Sequence, residues 1–382
     1  MNPVYITGLS SFLPNAPVSN SEIESVLGKL ENQPARVKNF VLANNGIITR
    51  HYAIDPATGK RTHSNAQLCA EAVSKLATSI DLPLGAVEGL ACGTSSADQL
   101  IPSHANMVAG ELGLPPSEIV STSGVCASGM AAMKYGYMSV ALGENKNFIA
   151  TGSERASAFL DKQSFGPMLS SGAKDVESAP MVTFEKEFLR WMLSDGAGAV
   201  ILEPTPRTDR LSLKIEHMYL RSWAGERPVC MYAGMNKNRD GSFTYWSDEE
   251  DRSDLTGKGY MLLQQDARVL EQNMVDVAGR ALAHFMETRD FDPGSIDWFL
   301  PHLSSMYFKD RLAERLAEDG VEIPEEKWFT NLTEKGNTGS ASIYIMLDEL
   351  YRSGRLSKGD RIVCAVPESA RFTMAGTVLT VC

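Results

Sequence analysis

No apolar run in this sequence approaches the ~20 residues that a membrane-crossing helix needs, which excludes a helical span. Basic residues are in deficit: 36 Lys and Arg stand against 47 Asp and Glu, for a net charge of −11. A surface that tracks phosphates needs the opposite balance, so general nucleic-acid binding is excluded as well. Cysteines do not pair along the chain. Cys69, Cys92, Cys126, Cys230, Cys364 and Cys382 show no CxxC and no paired spacing, a pattern of reduced thiols that points to a cytoplasmic protein. The six histidines form no HxxxH or HExxH, so neither a metal nor another cofactor is expected. The opening MNPVYITGLSSFLP lacks the basic start of a signal peptide and reads as a strand and turn.

What is present is enough for a large core, with 43% apolar residues in 382. Short apolar runs, the strand candidates, lie at 4–13, 87–95, 147–154, 198–204, 212–223, 297–303, 361–369 and 377–382. Helical periodicity falls at 65–80, 103–113, 127–143, 265–288, 304–319 and 339–353. Alternation of the two predicts an α/β protein with largely parallel sheets.

The second part of the chain can be laid over the first. LACGTSS faces FLPHLSS, placing Gly93 opposite His302 at an offset of 209; VCASGMAA faces GNTGSASI, placing Cys126 opposite Asn337 at 211. ATGSE then faces AVPES, with Glu154 opposite Glu368, and AGAVILE faces AGTVLTV. Four matches in order predict duplicated α/β halves, 1–205 and 206–382, packed with pseudo-twofold symmetry. From Glu154 to Gly198 is 44 residues but from Glu368 to Gly376 only 8, so the first half carries an insertion near 155–194. FEKEFLRWML at 184–193 is helical in pattern, and 224–264 is long and irregular, as lids and interface segments often are.

Cys126 falls at the first turn of the 127–143 helix, where free N–H groups and the helix dipole lower a thiol's pKa. A small buried core cysteine accounts for it equally well. His302 ends an apolar strand, where α/β sheets carry their sites, yet a satisfied core histidine reads the same way. Asn337 stands at the edge of the 339–353 helix, the usual place of an N-cap. The repeat favours the chemical readings together, because it sets Cys126 and Asn337 at equivalent helix starts and His302 at an adjacent strand end.

SGVCASG, the GSE strand end, SDGAGAVILEP, the histidine segment and GNTGSAS together resemble the thiolase-fold condensing enzymes, most of all the β-ketoacyl-acyl carrier protein synthase III group. The resemblance implies a thiolase-like fold, with central helices sandwiched between mixed sheets. It implies Cys126 as an acylated nucleophile, with His302 and Asn337 as its partners in a Claisen condensation of acyl thioesters. Acyl-CoA or acyl carrier protein would supply the acyl groups, and a homodimer is implied. Two other classes remain for comparison: a Cys–His–Asn hydrolase, which the internal repeat disfavours, and a non-catalytic scaffold, which retention of all three residues disfavours.

Departures narrow the resemblance. PHLSS stands where the group has H-Q-A-N, and Ser369-Ala370-Arg371 where it has a glycine run that lends an N–H to the oxyanion hole. Arg371 is therefore a candidate for oxyanion or substrate binding; the alternatives are a solvated arginine or one paired with Glu368. Glu154 is read as aiding proton transfer or as anchoring the strand end. PESARFT is similar to ketosynthases that join two β-ketoacyl units and close a cyclohexanedione ring on the way to dialkylresorcinols or stilbenes. Acetyl-primed synthesis and acyl transfer to an alcohol or amine are the other activities the resemblance allows. Lys309, Arg311 and Arg315 are candidates for docking an acidic carrier protein, or form a solvated helix face with Asp310 and Glu314.

Overall fold

The computed structural model describes residues 1–30, 35–165, 188–238 and 240–382. Nine strands form its principal sheet. They are β1 (Tyr5–Phe12), β2 (Gly89–Gly93), β3 (Glu118–Thr122), β4 (Phe148–Glu154), β5 (Gly196–Glu203), β6 (Leu213–Ser222), β7 (Trp298–Pro301), β8 (Arg361–Pro367) and β9 (Thr373–Val381). Their order is β7-β8-β9-β6-β1-β5-β4-β2-β3.

The link at β1–β6 is slight: only Tyr5 opposite Lys214 and Ile6 opposite Leu213 pair there. Outward from it, β1 to β5 and β5 to β4 run antiparallel and β4 to β2 parallel. On the other side β6 to β9 and β9 to β8 run antiparallel and β8 to β7 parallel. The two arms therefore repeat one pattern of strand directions, and β3 extends the first arm by one parallel strand.

Among the described residues, seven helices of nine residues or more complete the frame: α1 (Ala35–Asn45), α2 (Asn65–Ser79), α3 (His104–Leu112), α4 (Ala127–Leu142), α5 (Ala267–Thr288), α6 (Lys309–Glu318) and α7 (Ser342–Arg352). α4 is rich in Ala, Gly, Ser and Met and has no strong polar face, so it suits burial on several sides. It packs against β2 and β4 of one arm and β6, β8 and β9 of the other. α7 packs against β1 and β5 and also reaches β7. Both are central helices held between the arms, while α2 covers β1 and β5 from outside and α5 lies on β8 and β9.

Glycine makes the central contact possible. A Cβ on Gly129 or Gly152 would lie 2.4 or 2.2 Å from the Ser340 carbonyl oxygen, too close for any side chain. The Tyr344 hydroxyl then donates to the Gly129 carbonyl at 2.7 Å, pinning α7 to the start of α4.

Each strand expected from the sequence is found within a few residues of its expected place, and the last begins earlier, at Thr373. Four readings change. The sheet expected to be largely parallel is mixed, with five of its eight strand pairings antiparallel. The edge strand β3 and helix α1 carry no clear apolar period and were not expected. The helices expected at 304 and 339 start as 3-10 turns, Met306–Phe308 and Gly339–Ala341, before α6 and α7. Of the expected helix at 184–193, Phe188–Trp191 is a 3-10 turn and 184–187 lie outside the described residues, as does most of the insertion. Among the described residues no helix is long and apolar enough to cross a membrane.

Candidate active site

Gly124 and Val125 take positive φ, 134° and 40°, immediately before Cys126 enters α4. For a β-branched valine this is a strained conformation, of the kind that persists where a side chain must be aimed. Cys126 follows with helical angles at the N-cap of α4. Ser128 fastens the turn, its backbone N–H and its hydroxyl both donating to the Val125 carbonyl.

Cys126, His302 and Asn337 are all buried, at 4%, 2% and 4% exposure. Cys126 lies between two cavities. One, of about 20 Å³, is lined by Cys126, His302, Met274, Ala278, Phe308 and Ser369 among others; this is room for about one water. The second, of about 70 Å³, is lined by Cys126, Asn337, Glu154, Ser95, Ser96 and an apolar wall that includes Phe159, Met231 and Leu263. Phe308 also lines a larger apolar groove of about 340 Å³, reached from α1 and the start of α5.

His302 is set at the end of β7, where its backbone N–H donates to the Ala365 carbonyl. Its Nε2 is buried and has no hydrogen-bond partner. Burial alone lowers its pKa to about 4, so the imidazole is neutral near neutral pH. Asn337 is fixed by its backbone, which bonds to Met192 and Ser194, and by its Oδ1, which accepts the Gly339 N–H at 2.9 Å. Oδ1 thus serves the turn as a cap while the amide NH₂ is left to donate.

The folded state binds a proton at His302 less readily than the unfolded chain, whose histidine keeps the ordinary value of 6.5. This contribution to stability is complete above pH ~6.5 and falls as pH drops towards ~4, by roughly 3 kcal/mol in all. Denaturant unfolding at about pH 7 and about pH 4 should show a smaller acid loss in His302→Gln than in the parent. Equal losses would contradict a neutral buried imidazole.

Cys126 departs from expectation. Burial pushes its thiol well above the usual range, and the Glu368 and Glu154 carboxylates add to the rise. The helix-start effect is outweighed by desolvation and by two anions supplied from distant parts of the chain. The resting residue is a thiol.

Glu154 sits at the end of β4 and borders the second cavity. It accepts from the Ser95 N–H at 3.0 Å, the Ser95 hydroxyl at 3.2 Å and the Ser96 hydroxyl at 2.6 Å. These bonds tie β4 to the segment following β2, the anchoring role. Burial still raises its carboxyl.

Arg371 is placed away from both cavities. Its guanidinium is on the exposed surface and donates to the Ala224 carbonyl at 3.2 and 3.3 Å. Its backbone N–H donates to Glu368, as do those of Ala370 and Thr373. Glu368 therefore fills the turn between β8 and β9 and takes the N–H groups that would otherwise be free for an oxyanion. Sequence adjacency alone does not reveal this.

The expected docking cations are also occupied. Lys309 pairs with Glu325, Arg311 with Glu271 at 3.4 Å while stacking on Tyr307, and Arg315 with Glu318 at 3.1 Å and Asp319 at 2.8 Å. Each of the three is thus ion-paired within the chain, the arrangement that the solvated-face reading expects. Residues not singled out from the sequence include Met274, Phe308, Phe159, Met231 and Leu263, which wall the cavities. Met231 and Leu263 come from the irregular stretch, where no period marked them.

Similarity to known proteins agrees with the fold. The thiolase N-terminal domain model matches residues 52–180, and the 3-oxoacyl-[acyl-carrier-protein] synthase III C-terminal model matches 286–381. The chain is a condensing enzyme of the thiolase fold, similar to the synthase III group. The β-ketoacyl-[acyl-carrier-protein] synthase III of Xanthomonas oryzae pv. oryzae is 24% identical over 359 residues, covering 94% of this chain and 92% of the relative. Among solved structures, the tetronic acid condensing enzyme AbyA1 superposes with a TM-score of 0.77 at 21% identity, covering 99% of each chain. OleA of Xanthomonas campestris, solved with bound lauric acid and lauroyl-CoA, gives 0.75 at 18% identity over 100% of this chain and 99% of its own.

Proposed function

We propose that Cys126 is acylated by a thioester and that His302 and Asn337 then support carbon–carbon bond formation on the acyl group. The observation that carries this reading is the position of Cys126, which lines one cavity with His302 and the other with Asn337. In the first step the Cys126 sulfur attacks the thioester carbonyl, the carrier's C–S bond breaks, and the thiol proton leaves with the carrier thiol. In the second step a new thioester enters. The His302 Nε2–H and the Asn337 NH₂ donate to its carbonyl oxygen as an enolate forms, by loss of CO₂ from a malonyl-type unit or of the α-proton from a β-ketoacyl unit. The enolate carbon attacks the acyl-enzyme carbonyl, the C–S bond to Cys126 breaks, and the released sulfur takes up a proton (the α-proton in the second case, one from water in the first). A neutral imidazole and an amide suit this work, since neither adds a charge that must be desolvated.

Acyl-CoA or acyl carrier protein thioesters are the proposed substrates, approaching along the apolar groove that shares Phe308 with the His302 cavity. The finer reading is the joining of two β-ketoacyl units with ring closure to a cyclohexanedione, supported by PESARFT and by the Glu368-filled turn that replaces a glycine run. A second reading, acetyl-primed condensation, is favoured by the size of the cavity beside Asn337, about 70 Å³. Incubation with paired β-ketoacyl thioesters, and separately with acetyl-CoA plus malonyl-carrier protein, separates them by product mass. A cyclised dimer of the β-ketoacyl units supports the first. A single short β-ketoacyl product supports the second and overturns the first.

A homodimer, with a cytoplasmic location, belongs to the same proposal. Its support is the half-exposed edge strand β3 together with the exposed Leu100, Ile101, Met138 and Leu142.

A further inference from the structure

Cys69 on α2 and Cys92 on β2 take no part in the chemistry above, yet their sulfurs lie 4.0 Å apart, in van der Waals contact. We propose that these two residues are an oxidisable pair, converted by a small peroxide into an intrachain disulfide that joins α2 to β2 beneath the nucleophile turn. The proposal stands independently of the catalytic reading. Formation of the bond needs the sulfurs to close from 4.0 Å to ~2.05 Å.

The surroundings assign a role to each sulfur. Cys69 is 3.1 Å from the Thr151 hydroxyl, and the His104 imidazole lies beside it. Contact with Cys92 and the His104 ring lower the Cys69 thiol, whereas burial raises Cys92. Cys69 is therefore the attacking sulfur. It takes one peroxide oxygen, the O–O bond breaks, and hydroxide leaves with the second oxygen. Cys92 then displaces the sulfenic hydroxyl, which departs as water with the Cys92 proton. The hydroxide takes the proton that Cys69 gave up, so the two thiols lose two protons and two electrons in all, and the peroxide becomes two waters.

Both cysteines have no exposed surface, which excludes a bulky disulfide reagent and is why the oxidant proposed is a peroxide little larger than water. Cys92 is followed by Gly93, where a Cβ would lie 2.3 Å from the Ser128 carbonyl of α4, so the new bond would brace the floor of the nucleophile turn.

The test treats the full chain carrying Cys126→Ala with hydrogen peroxide, then blocks remaining thiols after unfolding and maps the peptides. The expected result is a mass lower by two hydrogens and a single Cys69–Cys92 crosslinked peptide, reversed by dithiothreitol. Cys69→Ala and Cys92→Ala should each lose the crosslink. If both cysteines of the parent are still blockable after peroxide, or either variant still loses two hydrogens, the proposal is overturned. The peptide map of the parent decides the matter even if a variant fails to fold.

Discussion

Cys126→Ala should give no acyl adduct on incubation with any acyl-CoA, while the parent gains the mass of one acyl group. Condensation in the variant is expected to fall by roughly 10⁴-fold or more, the scale on which removal of a covalent nucleophile acts. The loss is chemical in origin and not a failure to fold. Cys126 is small, and truncating it removes one sulfur from a site that already borders two cavities, at a cost of about 1 kcal/mol. Intact-mass measurement with a parallel thermal melt checks both parts. An adduct that survives in the variant would move the acylation site to another residue and end the reading of the two cavities given above.

Asn337→Ala should produce a different failure. The acyl adduct on Cys126 still forms, but turnover to a carbon–carbon product falls by about 10²–10³-fold, the effect of deleting one oriented donor to a developing oxyanion. The adduct therefore accumulates where the parent consumes it. Asn337→Asp should be at least as damaging, because it replaces a donor with a carboxylate in a pocket that already faces Glu154. A time course of intact mass together with product release distinguishes the two steps. If the adduct never forms in Asn337→Ala, Asn337 acts in the first step and the division of labour proposed here is wrong.

The fold was legible wherever burial imposed a period. β1, β4, β5 and β8 are buried along most of their length because helices cover them, and each carries an apolar run that the sequence marks. β3 escaped notice for the converse reason: it is an edge strand, half-exposed, and its residues alternate only weakly. The helix starts bearing Cys126 and Asn337 were legible because small residues cluster at both, and small residues are what close backbone approach demands.

Electrostatics were the least legible. The helix-start argument for a lowered thiol pKa used only local chain, while the outcome depends on burial and on Glu154 and Glu368, brought close by folding. Arg371 shows the same limit, since nothing in ESARF reveals that the Glu368 carboxylate turns back onto the following N–H groups. The basic residues of α6 read equally as a docking strip or as ion pairs until Glu271 and Glu325 are placed beside them.

Gly129, Gly152 and the Ser340 carbonyl meet with no space to spare. The nucleophile's helix and the asparagine's turn are thereby welded into one body, and neither can be re-aimed by altering the rest of the chain. Any retuning of substrate choice must fall on the outer walls, at Phe159, Met231 or Leu263, where a side chain can grow or shrink while the reacting groups stay in place. Diversity in this protein's chemistry is thus confined to the rooms around the hearth, with the hearth itself left unmoved.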